Sequence, residues 1–201
     1  MPSIAGFDRI SPELIDPFPG DNPAGEDLCY SLEYQAVEEP FMAQLDGRDV
    51  PAAQWSESFD RALALATRTR DIVLATLMAR AAAQLGDIAR VAFGFALAAE
   101  LAERFWPRIY PELEEEDSTY LRIVLRVLAS EQTMLTPLRA MQPQPGDEWR
   151  EALAAIRDAG ERIVAVTARD VMPGQPELDL SPLFDLIAEL EARRDEGSTP
   201  V

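Results

Sequence analysis

Apolar residues recur at helical spacing along most of this chain. Trp55, Phe59, Leu63 and Ala66 stand at i, i+4, i+8 and i+11, which predicts an amphipathic helix reaching about Arg70. From Asp71 to Leu85 nearly every position is apolar, with Arg80 and Gln84 as late exceptions. That pattern belongs to a helix surrounded by others. Gly86 ends it and Asp87 caps the next, whose stripe is Val91, Phe95, Ala98, Leu101 and Phe105 and which Pro107 stops. A further helix from Ser118 carries Leu121, Val124, Leu125 and Leu128 and extends toward Leu135. Trp149, Leu153, Ile156, Ile163 and Val164 predict a long helix to about Ala168. Gly160 falls on its stripe and marks either a close helix–helix approach or a break. The run Ile163 to Thr167 also has strand character, but the stripe upstream of it is helical. A last helix opens at Ser181-Pro182 with Leu183, Ile187 and Leu190.

The prolines agree with this reading. None of the 16 lies between Pro51 and Pro107, between Pro111 and Pro137, or between Pro145 and Pro173, and an interior proline costs a helix about 3 kcal/mol. The first 30 residues are irregular, with a Pro/Gly/Asp stretch from Asp16 to Asp27 and a short helix starting at Ser11-Pro12. A second helix begins near Ser31 and runs to about Leu45, bent or split by Pro40, before a loop over Asp46 to Ala53. Gln142 to Gly146 breaks the chain again. No hairpin dipeptide separates alternating runs. The expected fold is all-α, an antiparallel helical bundle or stacked helical hairpins behind an irregular lead-in. Its expected divisions are a lead-in over residues 1–50, a core bundle over 51–140, further helices of the same domain over 141–194, and a tail or linker over 195–201.

Charge narrows the partners. The 201 residues include 36 acidic and 18 basic side chains, a net charge of −18. Residues 1–50 hold 11 acids against Arg9 and Arg48, whereas residues 51–100 balance. Such a field repels phosphate backbones and anionic membrane surfaces, so nucleic acid and membrane insertion are not expected. The longest apolar stretch, Ile72 to Ala83, is interrupted by Thr76 and Arg80 and is too short to span a bilayer. The start of the chain shows no signal-peptide pattern, and a reducing, cytoplasmic setting fits the single cysteine, Cys29.

Composition also removes most catalytic chemistry. The chain has no histidine, and all 18 basic residues are arginine. The commonest general base and metal ligand, Schiff-base lysines and the phosphate-loop lysine are therefore all missing. Paired carboxylates remain, at Glu26-Asp27 and in the run Glu112 to Asp117, and two carboxylates at a suitable separation can hydrolyse glycosides. A solvated loop with a helix cap at Asp117 or Ser118 is the simpler account of that run. Neither the Asp21 region nor Asp46-Gly47-Arg48-Asp49 matches calcium-loop spacing. No cofactor or metal is expected, and Cys29 reads as a small buried residue beside Tyr30. The aromatic residues Trp55, Phe59, Phe93, Phe95, Phe105 and Trp106 read as core.

Two stretches carry a resemblance. One is Pro-Gly-Asp-Asn-Pro-Ala-Gly-Glu-Asp-Leu-Cys-Tyr-Ser-Leu-Glu-Tyr, residues 19–34. The other opens at Pro51-Ala-Ala-Gln-Trp55, passes through Thr67-Arg-Thr-Arg-Asp-Ile72 and Ala75 to Gly86, and ends at Phe105-Trp106 and Tyr110-Pro111. Together they resemble the ImpA-related N-terminal domain family, the TssA-type proteins of bacterial type VI secretion systems, over about residues 17–130. Arg70 stands where that family usually has lysine, Ile72 where it has leucine, and Tyr110 where it has histidine. The matching positions are Pro23, Gly25, Glu26, Asp27, Leu28, Tyr30, Trp55, Arg70, Asp71 and Trp106, with a structural or a partner-docking role. Pro23 and Gly25 read as a turn and Glu26-Asp27 as a cap or pin. Leu28 and Tyr30 are expected to tuck the lead-in against the bundle, and Arg70-Asp71 to form a helix–helix junction. The resemblance implies a non-enzymatic component of secretion machinery that binds baseplate, sheath or tube proteins in sheath priming or capping. It also implies oligomerisation through a C-terminal ring-forming region lying beyond these residues. The alternatives are an acidic-pair hydrolase and a helical adaptor of another system.

Overall fold

The structure, a computed structural model, describes residues 10–106, 108–110, 119–142, 147–171 and 175–197. The acidic run Glu112 to Asp117 and most of the break at Gln142 to Gly146 lie outside the described residues. Within them the chain is all-α, with two isolated bridges and no strand.

Helix ends follow the capping residues. Helix α1 (Pro12–Ile15) starts on its proline. Helix α2 (Leu32–Leu45) is capped by Ser31, whose hydroxyl accepts the Tyr34 N–H at 3.1 Å, and it runs through Pro40 unsplit. Helix α4 (Ile72–Leu85) is capped by Asp71 and closed by Gly86 at φ 69°. Asp87 then caps α5 (Ile88–Phe105) through the Arg90 N–H at 3.0 Å. Helix α3 (Ala52–Ala66) differs from expectation at both ends. It starts inside the predicted loop, directly after Pro51, and stops at Ala66, a turn short of Arg70. The Arg70 N–H leaves the helical pattern and donates to Ala24 O at 2.7 Å, so residues 67–71 serve a tertiary junction.

The helix expected from Ser118 to Leu135 is broken. Helix α6 (Thr119–Leu125) passes into a 3-10 turn (Arg126–Ala129), Ser130 is extended at ψ 126°, and a π turn (Glu131–Leu135) leads into α7 (Thr136–Ala140). The reason is phase. Leu121, Leu125 and Leu128 form one stripe, but its next position, Gln132, is polar and exposed, while Met134, Leu138 and Met141 are buried out of register with it. The break rotates the second set back toward the core. Helix α8 (Asp147–Thr167) is followed by a 3-10 turn (Ala168–Asp170), so Ile163 to Thr167 are helical. Helix α9 (Ser181–Gly197) follows, opening at Ser181 as expected. Gly160 marks a close approach and not a break: a Cβ there would lie 2.8 Å from Phe184 Cε1 of α9.

Helices α2 to α5 pack in chain order, α8 lies on α5, and α9 on α8. Helix α4 has neighbours on almost every side, as its apolar circumference requires. One contiguous apolar core runs from Leu14 to Leu190. At the α4–α5 contact, a Cβ on Gly94 would sit 2.6 Å from Ala79 N, so the two backbones touch. Among the described residues no helix is long and apolar enough to cross a membrane.

Candidate functional site

The lead-in is fastened where α3 passes into α4. Asn22 opens an Asx turn, its Oδ1 accepting the Ala24 N–H at 3.1 Å, and the Pro23 carbonyl accepts the Phe18 N–H at 3.0 Å. Gly25 follows at φ 84°, and a Cβ there would meet Arg68 O at 2.5 Å and the Phe18 ring at 2.6 Å. Only glycine satisfies both the backbone sign and the space. The Glu26 N–H donates to Arg68 O, and Gly25 forms an antiparallel bridge with Thr69. The side chains add an ion pair, Arg68 reaching Glu26 and Glu33 at 2.7 Å each. The Arg68 hydrogen bond holds the Glu26 carboxyl below its usual range. The Asp27 carboxylate accepts the Cys29 N–H at 3.1 Å, which makes it a local turn cap.

Arg70 is the centre of the junction. It is only 2% exposed, and its guanidinium makes five hydrogen bonds, all to main-chain carbonyls. Asp16 O accepts two, at 2.9 and 2.7 Å, Glu13 O one at 3.0 Å, Ala66 O one at 2.8 Å and Thr69 O one at 3.2 Å. Glu13 and Asp16 lie at the C-terminal end of α1, and Ala66 closes α3. The cation thus meets orphan carbonyls that would otherwise be unpaired. Its other face lies 4.1 Å from the Phe18 ring centroid. Burial pushes its affinity for the proton down, with Asp16 opposing.

Asp71, 4% exposed, points the other way. Its Oδ1 accepts the Val73 N–H at 2.7 Å and its Oδ2 the Tyr34 hydroxyl proton at 3.0 Å. Desolvation raises its pKa to about 7 against these hydrogen bonds, and the same burial with the Asp71 charge raises that of Tyr34. Tyr110 closes the ring. Its N–H donates to Arg70 O at 3.0 Å and its carbonyl accepts the Ile72 N–H at 3.1 Å, while its hydroxyl accepts from Asn22 Nδ2 at 2.6 Å.

The structure therefore gathers Pro23, Gly25, Glu26, Asp27, Arg70 and Asp71 around one junction. Leu28 is buried beside it. Tyr30 corrects the expectation of an inward anchor: it is 89% exposed. Leu28 fills the inward position and Ser31 turns to cap α2, and Tyr30, directly before the cap, points out. Trp55 lies apart, edge-on to Phe41 with centroids 5.0 Å apart in the α2–α3 contact. Trp106, half-buried at the end of α5, lines a groove of about 330 Å³ with Pro17, Pro23, Arg104, Phe105 and Arg108. Cys29 is part-buried rather than fully buried, and desolvation pushes its thiol up to about 11, which leaves it a poor nucleophile. Among the described residues no cluster of three or more acidic or cysteine side chains is placed to hold a metal ion.

Sequence reasoning passed over Phe18, Asn22, Tyr34 and Arg68. Asn22-Pro23 is a legible turn signal, and Ser31 followed three residues later by Tyr34 marks the cap. The reach of Arg68 to Glu26, 42 positions away, has no local signature.

The family model described as ImpA, N-terminal, type VI secretion system matches residues 15–134, more than half of the chain. A solved N-terminal domain, including the conserved ImpA_N region, of the TssA component of the type VI secretion system from Burkholderia cenocepacia has the same fold. Its TM-score is 0.70 over 97% of this chain and 98% of that one, at 19% identity. The likeness thus extends past the matched region into α8 and α9. No curated protein matches the chain. Since that family model matches more than half of it, the chain belongs to the ImpA N-terminal family and is a type VI secretion system component.

Proposed function

We propose that this chain is a cytoplasmic, non-enzymatic assembly component that acts in baseplate assembly or in priming or capping of the sheath, by binding other proteins of the system. The observation that carries this reading is how the family-motif side chains are used. Arg70 and Asp71 are buried and spend their hydrogen-bonding groups inside the fold, on carbonyls, a cap and a tyrosine. Such a junction fixes a surface and does not turn over a substrate. The acidic pair considered for hydrolysis supports the same view, since Glu26 is tied to Arg68 and Asp27 to a turn.

The test is co-purification of the intact chain with the sheath, tube and baseplate proteins of the same secretion system. At least one is expected to be retained; retention of none overturns the proposal. Replacing Glu26 and Asp27 by alanine is expected to lower thermal stability or partner capture.

A further inference from the structure

Helix α2 has one side committed and one side open. On the committed side Tyr34 bonds Asp71, and Val37 O accepts from the Ser58 hydroxyl at 2.7 Å. The Phe41 ring lies against Trp55 and 4.5 Å beneath the Arg80 guanidinium. These contacts hold the helix against α3 and α4. The open side is unusually apolar. Of the six large apolar side chains exposed among the described residues, four fall between positions 30 and 45: Tyr30, Leu32, Met42 and Leu45. Met42 is 56% and Leu45 65% exposed.

Glu38, Met42 and Leu45 stand at i, i+4 and i+7, so they are neighbours along one helical face. Glu38 is half-buried and makes no ion pair within the described residues. Desolvation holds its carboxyl above the usual range. Glu39, Asp46 and Asp49 surround the stripe, and the single described base before residue 50, Arg48, is already paired with Asp46 at 3.3 Å. A half-desolvated carboxylate without a cation, set among exposed apolar side chains in an acidic field, is complementary to a surface that brings both apolar groups and positive charge. A second copy of this chain, itself at −18, does not bring that charge.

We propose that the outward face of the C-terminal half of α2, from Glu38 to Leu45, docks a basic amphipathic helix of a partner protein, whose apolar side chains cover Met42 and Leu45 while its arginine or lysine pairs with Glu38. A helix is the occupant because Glu38, Met42 and Leu45 repeat at helical spacing over about two turns, a footprint that side-by-side helix packing covers. This deepens the protein-binding reading above and rests on it.

The experiment compares the intact chain with the variants M42S/L45S and E38K for binding to purified type VI sheath, tube and baseplate proteins, then maps the bound segment by cross-linking. Met42 and Leu45 are exposed, so M42S/L45S is expected to melt as the wild type does; Glu38 is half-buried, so E38K is compared below the onset of its own melt, and it tests the charge separately from the apolar pair. Each is expected to weaken binding about tenfold or more, and exchanging the partner's paired cation for glutamate is expected to restore E38K. Unchanged binding by both variants overturns the α2 assignment while leaving the protein-binding reading intact. So does a bound segment that is acidic or non-helical. Failure of the wild type to bind any component overturns both.

Discussion

At the scale of single residues, the neighbours Arg70 and Asp71 are both buried charges, and neither neutralises the other. Arg70 is satisfied by carbonyls, Asp71 by a main-chain N–H and a phenol. The consequence for Asp71 is a stability that depends on pH. In the folded chain it holds its proton up to about pH 7, whereas its ordinary value is 3.8. Between those values the folded state binds more protons than the unfolded one, so stability falls as pH rises through that window. Asp71→Asn keeps an oxygen for the Val73 N–H and removes the charge. We expect thermal melts of this variant to lose most of the decline that the wild type shows from pH 4.5 to pH 8. Glu38 contributes in the same direction, so a small residual slope remains. A variant profile as steep as the wild type would contradict the assignment. For Arg70, replacement by methionine keeps the stem and strands the carbonyls of Glu13, Asp16 and Ala66. An unpaired buried acceptor costs about 1–3 kcal/mol, so urea unfolding should show a loss of about 3 kcal/mol or more, with new proteolytic cleavage between Pro17 and Tyr30.

At the scale of elements, two interior glycines separate two kinds of close contact. An added methyl at Gly94 meets the α4 backbone at Ala79, which cannot move without shifting the helix. At Gly160 it meets the far edge of the Phe184 ring, which can swing. Gly94→Ala is therefore expected to lower stability by about 2 kcal/mol or more. Gly160→Ala should stay within about 1 kcal/mol of wild type, because the gain in helix propensity offsets the ring displacement. Denaturant midpoints of the two variants check the contrast. The same scale shows what the sequence makes legible. Gly86-Asp87 and Ser31 declare their helix ends because capping is local chemistry. The break at Ser130 is hidden, since Leu135 happens to prolong the earlier stripe and only the burial of Met134, Leu138 and Met141 reveals the new phase. Tyr30 misled because an aromatic residue beside Leu28 reads as an anchor, while its direction depends on how Ser31 enters α2. Arg70 was legible as a helix-end residue, but three of its five hydrogen bonds go to carbonyls 54 and 57 residues away.

For the whole molecule, the net charge of −18 is carried by a surface whose ion pairs are largely exposed, such as Arg61–Glu57 and Arg150–Asp147. Exposed pairs contribute little, so self-repulsion outweighs them. Raising NaCl from about 20 mM to about 300 mM is expected to raise the melting temperature by a few degrees, as the screening length shortens below the spacing of the acids. A lower melting temperature in salt would show that the pairs matter more than the repulsion. Half of that net charge lies ahead of position 50, in the segment that carries the open face of α2, while residues 51–100 balance.

The bond from Asn22 to the Tyr110 hydroxyl joins positions 88 residues apart. In a cell the chain is made from its N-terminus at about 5–20 residues per second, so Tyr110 follows Asn22 by roughly 4–18 s. Throughout that interval Phe18, Leu28 and the turn around Gly25 have no completed seat, and Arg68 and Arg70 emerge before the tyrosine that closes their ring. The lead-in leaves the ribosome before its seat exists and is thus among the last parts of the junction to settle. Its dense negative charge keeps it hydrated while it waits for the helices it will lock.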